Sequence, residues 1–119
     1  MWTRWLNAIG LVWDMRGNSS RALSYFQRAL ATVERVAPNS RSHATYLNNI
    51  GSTYQDQGDL EQALVYRQRA LAIIEKTAPN SQGYAALLNN IAGVYMARGD
   101  LGRANALPAG ISDYRGSCP

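Results

Sequence analysis

Leu47, Ile50, Gly51 and Tyr54 stand at i, i+3, i+4 and i+7, the apolar stripe of an amphipathic helix running from near Ser42 to near Gln57. Gly58 stops it, because glycine takes the left-handed conformation that closes a helix, and Asp59 follows as a cap for the next. A second stripe, Leu60, Ala63, Leu64, Ala70, Leu71 and Ile74, continues to Ala78-Pro79. Proline bars its predecessor from helical geometry, so this helix ends there, with Ser81 placed to cap the one after. The unit is a pair of antiparallel helices joined by a very short turn.

The unit recurs. Gly17, Gly58 and Gly99 are spaced by 58−17=41 and 99−58=41. The same step links Leu6, Leu47 and Leu88, then Ile9, Ile50 and Ile91, then Ala22, Ala63 and Ala104. It also links Pro38-Asn39-Ser40 to Pro79-Asn80-Ser81. A fixed period of this size marks an array in which each unit leaves an apolar face that only its neighbour can cover. The boundaries that follow are residues 1–40, 41–81 and an incomplete 82–107. Pro108, Gly110 and Gly116 break what would be the last helix, so 108–119 reads as an irregular or disordered tail. That break suggests a fragment, a decayed terminus or a reading-frame shift upstream of Pro108.

Glycine inside a helix costs about 1 kcal/mol against alanine and needs a compensating reason. Gly10 and Gly51, with Ala92 in the third copy, lie on the apolar face and are expected to meet Ala22, Ala63 and Ala104, while Trp13, Tyr54 and Tyr95 fill the adjoining space. Aromatic residues at this spacing are expected in the core. The opening helix carries Trp2 and Trp5 where an earlier repeat would stack.

Composition adds limits. The chain has 119 residues, 46% hydrophobic and 17% charged, which is folded rather than disordered in character. No run reaches the length of a membrane span, and Asn7 with helical spacing around it argues against a signal peptide. Cys118 is alone, which fits a reducing compartment, and a cytoplasmic location is expected. The net charge of +4 is spread along the chain, too diffuse to imply nucleic acid.

As a set, Gly51, Tyr54, Gly58-Asp59, Ala63, Tyr66 and Ala70-Leu71, matched in copy one by Gly10, Trp13, Gly17-Asn18, Ala22, Phe26 and Ala29-Leu30, resemble the tetratricopeptide repeat. The resemblance is to the longer variety of kinesin light chains and bacterial arrays. Leu-Asn-Asn-Ile at 47–50 and 88–91, with Ala-Leu-Ala-Ile-Ile-Glu-Lys-Thr-Ala-Pro-Asn-Ser at 70–81, is similar to bacterial arrays often joined to a caspase-like peptidase domain. No stretch here resembles that peptidase. The resemblance implies an all-α, right-handed solenoid. It departs at Leu6, Leu47 and Leu88, where a tryptophan is usual, and at Arg67, where an aromatic is usual and whose presence is expected to loosen one core site.

The same resemblance implies a non-catalytic module whose first helices line a concave groove for a protein or peptide partner. The groove would carry Arg4, Asn7, Leu11 and Asp14, then Thr45, Asn48, Ser52 and Gln55, then Ala86, Asn89, Gly93 and Met96. Asparagine is a poor helix former, so Asn48-Asn49 and Asn89-Asn90 in mid-helix need an explanation. An Asn side chain donates and accepts, which suits clamping an extended peptide backbone. Alternatively, one Asn of each pair bonds to the neighbouring repeat and sets its angle. Peptide contact is the favoured reading for Asn48 and Asn89 and the less favoured for Asn49 and Asn90. A different role remains open, in which uncovered ends of the stack associate with another copy or another domain.

Arg21, Arg28 and Arg35 recur every seven residues, a stripe read as a solvated face with Glu34 and Glu75 beside it rather than a phosphate site. His43, the single histidine, is expected at the surface. The sequence offers no metal spacing, phosphate loop or nucleophile–base pair, so no metal, cofactor, nucleic acid or membrane partner is expected.

Overall fold

The computed structural model describes residues 2–99, and side chains from Thr3 onward. Five helices lie in this span: α1 (Trp2–Met15), α2 (Ser19–Val36), α3 (Arg41–Asp56), α4 (Leu60–Thr77) and α5 (Gln82–Ala97). The expected last helix of the third copy and the tail from Pro108 lie outside the described residues.

The turns within each pair follow from two residues. Gly17 and Gly58 sit at φ +81° and +82°, a region closed to most side chains. The next residue donates back to the helix, Asn18 N–H to Trp13 O and Asp59 N–H to Tyr54 O, both at 2.9 Å, closing the last turn. Asn18 Oδ1 and Asp59 Oδ1 then accept from Arg21 and Gln62 N–H at 3.1 and 3.2 Å, so one residue ends a helix and begins another. Between repeats, Ser40 and Ser81 cap α3 and α5 by accepting from His43 and Tyr84 N–H, each at 3.1 Å.

The helices pack in chain order, α1 on α2, α2 on α3, α3 on α4 and α4 on α5. One core runs through the stack, with Phe26, Leu47, Ile50, Leu88 and Ile91 among its fully buried members. The close approach within a pair is sharper than small residue against small residue. A Cβ on Gly10 would stand 2.6 Å from the ring of Phe26, and one on Gly51 would stand 2.7 Å from Arg67 Cγ and 3.1 Å from Ala63 O. Ala63 faces Gly51 as expected, but the larger occupant of that space is the side chain 41 residues after Phe26.

Three expectations change. The 41-residue step pairs Phe26 with Arg67 and Tyr25 with Tyr66, so Tyr66 is not the counterpart of Phe26; it is half-buried and stacks on Tyr54 with ring centroids 5.6 Å apart. Arg67 does not loosen its site, because it is buried and its Nη1 donates to Asn90 O at 3.1 Å. His43 is not a surface residue. It is buried, its Nδ1 accepts from Asn39 N–H at 2.9 Å, and its Nε2 stands 3.5 Å from Glu34 Oε2. That bond holds Asn39 at φ +60° in the α2–α3 connection, a conformation Asn tolerates better than most residues.

The arginine stripe of α2 is exposed at Arg21, Arg28 and Arg35. Two of its members lie over rings, Arg21 at 4.7 Å from the Trp13 centroid and Arg28 at 5.7 Å from that of Tyr25, covering aromatic faces the helix pair leaves half-open. Trp5 departs from the expectation of buried aromatics, with 68% of its surface accessible.

Candidate binding groove

The first helices α1, α3 and α5 bring the expected groove residues to unequal depths. Arg4, Leu11, Thr45, Asn89 and Met96 are exposed, while Asn7, Asp14, Asn48, Asn49, Ser52, Gln55, Asn90 and Gly93 are half-buried. Gly93 leaves open space where a Cβ would be. The Thr45 hydroxyl is turned to its own helix, donating to Arg41 O at 3.0 Å.

The two asparagine pairs behave differently. Asn49 Nδ2 donates to Asn7 Oδ1 at 2.8 Å, tying α3 to α1. The counterpart one repeat on would be Asn90 to Asn48, and that bond is not made. Asn48 Oδ1 is buried and has no hydrogen-bond partner among the described residues. A cavity of about 500 Å³ opens there between α3 and α5, with Thr45 and Asn48 on one wall and Ala86 and Asn90 on the other. Arg41, Ile74 and Leu87 also line it; none of these was expected in the groove. Their signal was available at the 41-residue step, since Arg41 and Gln82 open α3 and α5 at the same position and both border the cavity. Polar and apolar side chains share this lining, and the Asn48 oxygen lies buried behind it without a partner, which costs about 1–3 kcal/mol.

The junctions differ in what holds them. Between α2 and α3 the tie is Glu34, which meets Arg69 of α4 at 2.9 Å and faces His43. Between α4 and α5 the ties are Arg67 to Asn90 O, Gln68 Nε2 to Tyr95 Oη at 2.9 Å, and Glu61 to Arg98 at 3.0 Å. Burial lowers the pKa of Arg67, opposed by the nearby Asp56 carboxylate. At the other end of the groove the pKa of Asp14 is raised, first by burial and then by the Asp56 carboxylate.

None of this gathers reacting groups. Among the described residues no set of three or more His, Cys, Asp or Glu side chains could hold a metal ion, and no helix is long and apolar enough to cross a membrane. The repeating unit, the glycine-closed turns and the helix order carry the assignment, and family comparison decides it: tetratricopeptide repeat models match residues 2–41 and 42–107. The chain belongs to the tetratricopeptide repeat family. Tetratricopeptide repeats generally mediate protein–protein interaction and are typically non-catalytic.

Solved tetratricopeptide structures resemble this one closely. BtubC (BKLC) from P. vanneervenii is 26% identical with a TM-score of 0.86, covering 97% of this chain and 47% of its own. The tetratricopeptide domain of Arabidopsis FLU is 21% identical with a TM-score of 0.81, covering 97% of this chain and 92% of its own. A putative kinesin light chain from Podosopora anserina is 18% identical with a TM-score of 0.75, covering 85% of this chain and 49% of its own. The latter two share the fold alone, and the chain spans about half the length of BtubC. No curated protein sequence matches it.

Proposed function

We propose that this chain binds an extended segment of another protein in the groove formed by its first helices, with the cavity between α3 and α5 as the principal subsite. The observation that carries the reading is Asn48, a half-buried residue that lines a cavity of about 500 Å³ and whose Oδ1 has no partner among the described residues. Rotation of the Asn48 amide turns its oxygen to the cavity, where a backbone N–H of an extended ligand supplies the missing donor, while an apolar side chain fills the space beside Ile74 and Leu87. Asn89, exposed on the same helix as Asn90, adds an adjacent contact.

The test is selection of binding peptides from a displayed random library, followed by calorimetric titration of the selected peptide against the Asn48→Ala, Asn89→Ala double variant. Loss of binding without loss of thermal stability is expected, since Asn48 Oδ1 contributes no bond to the fold and alanine favours the helix more than asparagine does. Full binding by the double variant would remove the groove assignment.

A second reading, favoured by the exposed Trp5, has an uncovered end of the stack engaging another chain. The two readings use different faces and are compatible.

A further inference from the structure

We propose that a second cavity, between the start of α3 and the end of α4, takes a phosphate group, and that its binding moves Glu34 from Arg69 to His43. This cavity shares no lining residue with the one between α3 and α5, so the proposal does not rest on peptide binding in the groove.

The cavity measures about 240 Å³. Leu47 of α3 with Ala72 and Ile73 of α4 give it apolar walls, and Arg69 and Lys76 bring two cations to it. Arg69, Ala72, Ile73 and Lys76 stand at i, i+3, i+4 and i+7, one face of α4. No carboxylate is on the lining, and Lys76 has no ion-pair partner among the described residues. Two positive groups on one small cavity match a dianion in charge, whereas a carboxylate leaves one of them uncompensated. Phosphate oxygens also accept from a guanidinium and an ammonium at once.

His43 is the second, independent observation. It is 7% exposed and stands on the same lining. Its Nδ1 accepts from Asn39 N–H, so in the neutral ring the proton is on Nε2. That N–H is buried and has no hydrogen-bond partner among the described residues. Glu34 Oε2 faces it from 3.5 Å while bonded to Arg69 at 2.9 Å. Two donors thus compete for one carboxylate oxygen, and the histidine goes without. A phosphate that takes the Arg69 guanidinium frees Glu34 to close on Nε2–H. The exchange keeps both charges partnered and adds the bond that the buried N–H lacks. The 41-residue step puts Tyr84 where His43 stands, so the device belongs to this repeat and not to the repeat pattern as such.

Binding is read by calorimetry and by the nitrogen-15 shifts of the His43 ring, the single histidine of the chain. The full chain is titrated at constant ionic strength and pH 8, where a phosphate group is a dianion. Inorganic phosphate should bind saturably and move the ring signal, and sodium chloride should do neither. Lys76→Gln and Arg69→Gln, both at exposed positions, should each weaken binding about tenfold or more, the loss of one charge-assisted bond. Arg21→Gln removes the same charge outside the cavity and should leave the affinity unchanged. Glu34→Gln should bind phosphate more tightly, with the competing carboxylate gone, and its ring signal should no longer follow the titration.

N-acetyl phosphoserine N-methylamide, titrated beside inorganic phosphate, distinguishes a phosphorylated partner from the free ion. The tighter binder is the source, and either one supports the site. Acetate bound as tightly as phosphate overturns the assignment to phosphate. Binding that does not saturate, or equal losses in Lys76→Gln and Arg21→Gln, overturns the site itself. A ring signal that stays still while phosphate binds overturns the movement of Glu34.

Discussion

Arg67 donates from Nη1 to the backbone oxygen of Asn90 at 3.1 Å while its Cγ lies where a Cβ on Gly51 would go. In the preceding copy Phe26 fills that place beneath Gly10. One position thus holds a purely apolar plug in one repeat and a tie to the next repeat in another. Arg67→Ala should cost about 2–4 kcal/mol in urea unfolding, from lost packing and the lost bond. Arg67→Phe should stay within about 1 kcal/mol of the parent, because a buried charge replaced by a fitting apolar group is often neutral or stabilising. Equal losses for the two variants would mean that the bond, and not the volume, sets the energy of the site.

The two mid-helix glycines of the first and third copies should respond in opposite senses. Gly10→Ala drives a methyl to 2.6 Å from Phe26, and overpacking of this kind costs about 1–3 kcal/mol. Gly93→Ala meets nothing within 4 Å and should stabilise by about 0.5–1 kcal/mol through the helix term alone. Thermal unfolding of both variants decides it, and a gain from Gly10→Ala would contradict the close packing of α1 on α2.

A double-mutant cycle on Asn7 and Asn49 should give a coupling of about 0.5–1.5 kcal/mol, the value of one partly buried hydrogen bond. The same cycle on Asn48 and Asn90 should give none, because no bond joins them. Coupling in the second pair equal to the first would show that the α3–α5 cavity closes in solution.

Asp14 carries the pH prediction. Its pKa is raised, by burial first and Asp56 second, so the folded chain holds that proton more tightly than the unfolded chain does. The resulting penalty is absent below the unfolded value of 3.8 and grows as pH rises through the folded one. Asp14→Asn should therefore raise the melting temperature at pH 7 and lose its advantage as the pH falls below that window. A variant advantage that grew on acidification would reverse the sign and remove the assignment to Asp14.

The helices, their turns and their caps were legible in the sequence because each depends on a few adjacent residues. Gly58 with Asp59, and Pro79 with Ser81, fix one helix end and the next helix start within two or three positions, whatever the rest of the chain does. The groove was legible only as a stripe of equivalent positions. His43 is not legible as buried from its own type and position; the structure shows it turned inward, with Nδ1 bonded to the backbone of Asn39 and Nε2 facing Glu34 on α2. The role of Arg67 is not legible locally at all, since the carbonyl that receives it is 23 residues away on α5.

By itself, then, the sequence determined the period, the helix pairs and the family, because periodicity and capping are local and repeat themselves. Only the tertiary structure decided how the repeats meet. It joined Asn49 to Asn7 but left Asn48 unpaired, and it buried Tyr46 while leaving Trp5 open. Equivalent residues at a 41-residue step carry the same local code, but each contact also depends on the neighbouring helix it finds, and that neighbour differs from one repeat to the next.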